Sequence, residues 1–123
     1  MIAQFGFVRV GLAVPEVQAA AISCNVASME SLAAEAAGDG CDVVLFPELG
    51  ITGYTCADLF PHERLLQGAL AGLDTFVRKT KSFSCLFVVG LPVAVDGQLF
   101  NCAAVVCRGR VLGLVPKTYL PGY

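Results

Sequence analysis

Residues 43–46, Val-Val-Leu-Phe, form a continuous apolar run, β-branched at its start, that follows Asp42 and stops abruptly at Pro47 and Glu48. Such a run predicts a strand covered on both faces, the habit of parallel sheets flanked by crossover helices. Proline cannot donate to a strand ladder, so the strand ends where the carboxylate begins. The design returns near the other end of the chain. VVLFPE over 43–48 and LGLVPK over 112–117 both lead a mostly apolar segment into proline and then a charge, of opposite sign in the two cases.

The segments between these hexads predict alternating elements. FVRVGLAV (7–14) alternates as a first strand and ends at Pro15. From about Asn25, the residues Val26, Met29, Leu32, Ala33 and Ala36 recur at helical spacing. Ser23 or Asn25 is the expected N-cap, and Gly-Asp-Gly at 38–40 the stop. A second helix is expected over about 62–80, with Leu65, Leu66, Ala69, Leu73, Phe76 and Val77 inward. Then follow CLFVVGLPVAV, a turn at Asp96-Gly97, LFNCAAVVC, a turn around Arg108-Gly109, and VLGLV. Asp-Gly between apolar runs is a hairpin signal. The order β-α-β-α followed by three strands predicts an α/β fold, with a parallel core extended by antiparallel strands. No internal boundary is evident.

Composition bounds the function. Hydrophobic residues make up 56% of the 123 and charged residues 15%, against about 25% charged in ordinary globular domains. That surplus suggests part of a larger body whose apolar surface is covered elsewhere. No apolar run reaches the roughly 18 residues of a membrane span, and the N-terminus lacks secretory-signal features. A cytoplasmic protein with no membrane partner is expected. The net charge is −2, and the one basic cluster, Arg78, Lys79 and Lys81, fits a solvated helix end better than a nucleic-acid footprint. Six cysteines without C-x-x-C spacing, alongside one histidine, predict reduced, largely buried thiols and no metal site.

In open α/β sheets, ligands sit beyond the carboxyl ends of strands, which is where Glu48 and Lys117 fall. A lone charge after a strand is ordinarily a solvated turn residue. If the two strand ends adjoin, however, each charge keeps the other ionised in an apolar cavity, the two lying no farther apart than about 4–6 Å. The carboxylate can then take a proton, and the ammonium can stabilise a developing oxyanion.

VVLFPELGITGY resembles the glutamate motif of the nitrilase (carbon–nitrogen hydrolase) superfamily, and LVPKTYLPGY its lysine motif. GFVRVGLAVP, PELGITGYTCADLF, LFNCAAVVCRGRVLGLVPK and YLPGY narrow the resemblance to the glutaminase domains of the glutamine-dependent NAD synthetase family. It covers essentially the whole chain. The resemblance implies an α-β-β-α sandwich, of which 1–123 is the N-terminal part, a partial glutaminase domain without the synthetase domain. It implies catalytic roles for Glu48 as general base and Lys117 as oxyanion partner. It further implies that Tyr54 lines the glutamine pocket and that Tyr123 lies near the route of ammonia, although packing alone accounts for either tyrosine.

The family's nucleophilic cysteine lies downstream of the lysine motif, and none of the six cysteines here follows that motif. The chain is therefore expected to be inactive alone. No cofactor is expected in this segment, while ATP and magnesium are implied for the synthetase domain. The implied partners are glutamine, that domain and further copies in a homo-oligomer, with no nucleic acid. Two alternatives stand beside this: another amidase of the superfamily, or a non-catalytic interaction module.

Overall fold

The computed structural model describes residues 2–120. A short 3-10 turn (Ile2–Phe5) precedes β1 (Val10–Leu12), α1 (Ile22–Gly38) and β2 (Val43–Leu45). A second 3-10 segment (Tyr54–Leu59), α2 (Glu63–Lys79), β3 (Leu86–Val95), β4 (Gln98–Cys107) and β5 (Arg110–Pro116) complete the chain. The five strands form one sheet in sequence order. Strands β1, β2 and β3 are parallel, with α1 and α2 as the crossovers, and β3-β4-β5 is an antiparallel meander. Both hairpins turn through two residues with positive φ: Asp96 (50°) with Gly97 (77°), and Arg108 (49°) with Gly109 (80°). That is the twist-matched two-residue turn that Asp-Gly signals.

Both helices pack on one face of the sheet. Val44, Phe46, Phe87, Val89, Leu91, Ala104 and Val106 point toward them and are buried. Phe76 of α2 meets Phe46 and Phe87 edge-on, with ring centroids 5.6 and 5.5 Å apart, a favoured aromatic geometry. The inward stripe of α2 is nearly as expected: Leu65, Ala69, Leu73, Phe76 and Val77 are buried and Leu66 is half-buried. Arg78 and Lys79 end the helix in solvent.

Three expectations need correction. The first strand is shorter than 7–14, although Ala13 N–H still donates to Leu45 C=O just beyond it. The first helix begins at Ile22, and neither Ser23 nor Asn25 caps it; no side chain bonds its first turn from the Ala21 cap position. Asn25 is fully buried and bonds elsewhere, as described below. Finally, among the described residues β2 is covered on one face only. The register places Leu12, Leu45, Val88 and Val105 in one row across the sheet, on the face away from the helices. Leu12 is 74% and Leu45 44% exposed. The continuous apolar run was legible, but among the described residues only one layer of helices is present to cover it.

Candidate active site

Two antiparallel reversals return β5 to the direction of β2 and β3, so the carboxyl ends of all three lie at one edge of the sheet. Strands β2 and β5 are nonetheless three spacings of about 4.8 Å apart, about 14 Å in all. Two side chains bridge that gap only when both are fully extended toward each other. The segment after β2 closes it by folding sideways over β3. Phe46 N–H donates to Val88 C=O at 3.0 Å and Ile51 N–H to Gly90 C=O at 3.1 Å, which carries Glu48 across toward β4 and β5.

Gly90 permits this crossing. A Cβ built there would lie 2.4 Å from Leu49 N and 2.8 Å from Pro47 O, closer than Cβ atoms stand to any neighbour. Leu49 itself holds a φ of 54°, a conformation that costs a non-glycine residue on the order of 1–2 kcal/mol. Its surroundings enforce it. Gly53 N–H donates to Leu49 C=O at 2.8 Å and Gly50 N–H to Pro47 C=O at 3.1 Å. Asn25 Nδ2 reaches from α1 to Ile51 C=O at 2.9 Å and also to Gln18 C=O, while its Oδ1 accepts from Gln18 N–H. Replacing Gly90 by alanine should therefore destabilise the intact protein by about 1–3 kcal/mol, as overpacking does, and should shift Glu48. Thermal unfolding would report the first effect and amide hydrolysis the second; an unchanged midpoint and rate would show that the crossing has slack.

Lys117 Nζ lies 2.9 Å from Glu48 Oε1, within the separation expected from sequence. Asn101 Nδ2 donates to the same oxygen, and Lys117 N–H donates to Asn101 C=O at 2.8 Å. The Lys117 hydrogen bond holds the Glu48 carboxyl below the usual carboxylate range; partial desolvation opposes this, and the Asn101 hydrogen bond reinforces it. Glu48 is thus ionised at neutral pH. The trio borders a cleft of about 490 Å³ on the open face, floored by Leu45, Val88, Gly90, Ala103 and Val115. A carboxylate and an ammonium beside apolar walls can relay a proton and stabilise an oxyanion.

The sequence had not singled out Asn101. Its only signal was a lone amide inside the apolar run LFNCAAVVC. Tyr54 begins the second 3-10 segment, 43% exposed, and is not among the residues lining this cleft. Tyr123 lies outside the described residues. All six cysteines are free thiols; Cys56, Cys85 and Cys102 are buried, whereas Cys24 is exposed. Cys102 borders the cleft, but strand alternation places its side chain opposite that of Asn101, and burial pushes its pKa up, away from thiolate. Among the described residues no group of three His, Cys, Asp or Glu side chains could hold a metal ion, and no helix is long and apolar enough to cross a membrane.

Residues 9–121 match the family described as carbon-nitrogen hydrolase. The curated glutamine-dependent NAD(+) synthetase of Mycobacterium tuberculosis is 35% identical over 120 residues, 98% of this chain and 18% of that protein. The crystal structure of a glutamine-dependent NAD(+) synthetase from Cytophaga hutchinsonii superposes with a TM-score of 0.88 at 27% identity, over 94% of this chain and 20% of its own. An amidase from Nesterenkonia sp. shares the fold, with a TM-score of 0.78 at 22% identity over 94% of this chain and 44% of its own. This chain spans about a fifth of the length of the synthetases it matches.

Proposed function

Because this chain belongs to the carbon-nitrogen hydrolase family, we propose that Glu48 and Lys117 are the general base and the oxyanion partner of a glutaminase. In the intact enzyme, the ammonia so released would be used to amidate nicotinic acid adenine dinucleotide at the expense of ATP. The observation that carries this is the 2.9 Å pairing of Glu48 with Lys117 at an apolar cleft. Likeness to NAD(+) synthetases across nearly the whole chain supports the choice of substrate.

The chemistry needs a thiol from another segment of the intact protein, since Cys102, the cysteine at the cleft, is buried and protonated. Glu48 takes the thiol proton, and the thiolate attacks the side-chain amide carbon of glutamine. Lys117 stabilises the oxyanion of the tetrahedral adduct. The adduct collapses as Glu48 returns the proton to the leaving nitrogen, giving ammonia and a thioester. Water, deprotonated by the same carboxylate, then releases glutamate and restores the thiol. Covering the cleft with further protein adds to the desolvation already acting on Glu48, moving its pKa upward and making it a stronger base.

Tyr54 and Tyr123 are proposed to contribute to the glutamine pocket and the ammonia route. ATP and magnesium belong, in this proposal, to a separate synthetase domain, and the intact enzyme works as a cytoplasmic homo-oligomer. The shared fold of the Nesterenkonia amidase keeps a second reading open, in which the same pair acts on a different amide. Ammonia release is the test. The intact enzyme should liberate ammonia from glutamine, in preference to simple aliphatic amides, whereas residues 1–123 alone should liberate none. Turnover by the 123 residues alone would contradict the proposal, and preference for another amide would favour the second reading.

A further inference from the structure

We propose that Asn101 is a positioning residue for the base: it engages one oxygen of Glu48, Oε1, and leaves the other, Oε2, to take the proton. This rests on the reading of Glu48 as the general base. Asn101 lies within β4, paired on one side with Pro92 of β3 and bonded on the other to Lys117 N–H. Its backbone is therefore fixed in the sheet, in register with β3 and hydrogen-bonded on the side of β5, and its short side chain turns about two bonds only. The lysine ammonium, on four methylenes, has far more freedom. One residue thus sets both members of the pair, Lys117 through its carbonyl and Glu48 through its amide.

The two donors converge on the same atom. Lys117 Nζ and Asn101 Nδ2 both reach Oε1, and among the described residues no hydrogen bond reaches Oε2. Each donor withdraws basicity from the oxygen it binds. The carboxylate is thereby made asymmetric, with one oxygen anchored and the other free to accept. Without Asn101, the carboxylate could rotate about its last torsion, which is broad and roughly two-fold, and Lys117 would follow it. Lys117 is the charged group acting on Glu48; beneath them β3 offers only Val88 and Gly90 to the cleft.

The test uses the intact enzyme with Asn101→Ala and Asn101→Asp. The aspartate is nearly equal in size, cannot donate when ionised, and places a second negative charge against Glu48. Two pH profiles are measured: kcat/KM for glutamine, and the rate at which iodoacetamide alkylates the nucleophilic thiol, which needs no substrate. In Asn101→Ala, kcat should fall about 10–100-fold, the effect of losing one hydrogen bond to a charged group, with KM within about twofold. In Asn101→Asp, the acid limbs of both profiles should also move to higher pH, because a like charge raises the carboxyl pKa.

Should Asn101→Ala lose its cooperative melting transition, Asn101→Asp carries the test alone. Acid limbs unmoved in Asn101→Asp would overturn the proposal, as would a kcat unchanged in both variants. If the alkylation limb moves but glutamine is not hydrolysed by the parent enzyme, the positioning role stands and the glutaminase reading falls.

Discussion

Replacing Glu48 by glutamine in the intact enzyme should lower kcat/KM for glutamine about 10²–10⁴-fold, the range a positioned general base supplies. The substitution keeps the volume and leaves an amide oxygen able to accept from Asn101 Nδ2 and Lys117 Nζ, the two donors that now meet Oε1. The loop over Gly90 should therefore stay in place, and the melting temperature should change little. The fall should appear in kcat rather than KM, since proton transfer is made in the transition state. Thiol alkylation should slow in parallel, because a thiol is only a few per cent thiolate at neutral pH without an adjacent base. A variant that melts normally and turns over at the parent rate would remove Glu48 from the chemistry.

Lys117→Ala should cost about 10²–10³-fold in kcat, as the loss of one preorganised oxyanion donor does. Two effects combine. The oxyanion loses its ammonium, and Glu48 loses the hydrogen bond that contributes most to holding its pKa down. The sign follows directly: with that bond gone the carboxyl pKa rises, so the acid limb of kcat/KM should shift to higher pH. Lys117→Arg keeps the positive charge but replaces a compact ammonium with a planar fork. It should keep the parent's acid limb while recovering little of the rate. An acid limb that stays put in Lys117→Ala would mean that the 2.9 Å contact is not maintained during turnover.

Much of the architecture was legible because local rules and the tertiary fold agree. The Asp96-Gly97 and Arg108-Gly109 turns lie where their dipeptides place them, and both crossover helices follow the apolar spacing. The charged pair was legible because proline ends each strand at a fixed offset from its charge. What escaped is what depends on non-local contact. Asn25 reads as a helix cap because asparagine commonly caps, yet its amide is spent on Gln18 and Ile51, the latter 26 positions away. Asn101 reads as an ordinary strand residue, since its role arises only once β4 lies beside the loop from β2. The crossing over Gly90 was invisible for the same reason: a glycine in GLP at 90–92 gives no sign that Leu49 packs against it. The apolar run at 43–46 reads as a strand covered on both faces because continuous hydrophobicity reports apolar character and not what lies opposite.

The most direct test of a single base–oxyanion unit is ammonia release from glutamine by the intact enzyme, its Glu48→Gln and Lys117→Ala variants, and the double variant. Groups that act together in one transition state are strongly non-additive. The account predicts that the double variant is only a few-fold slower than the slower single one. Losses that multiply, or a turnover that survives replacement of Glu48, would contradict it.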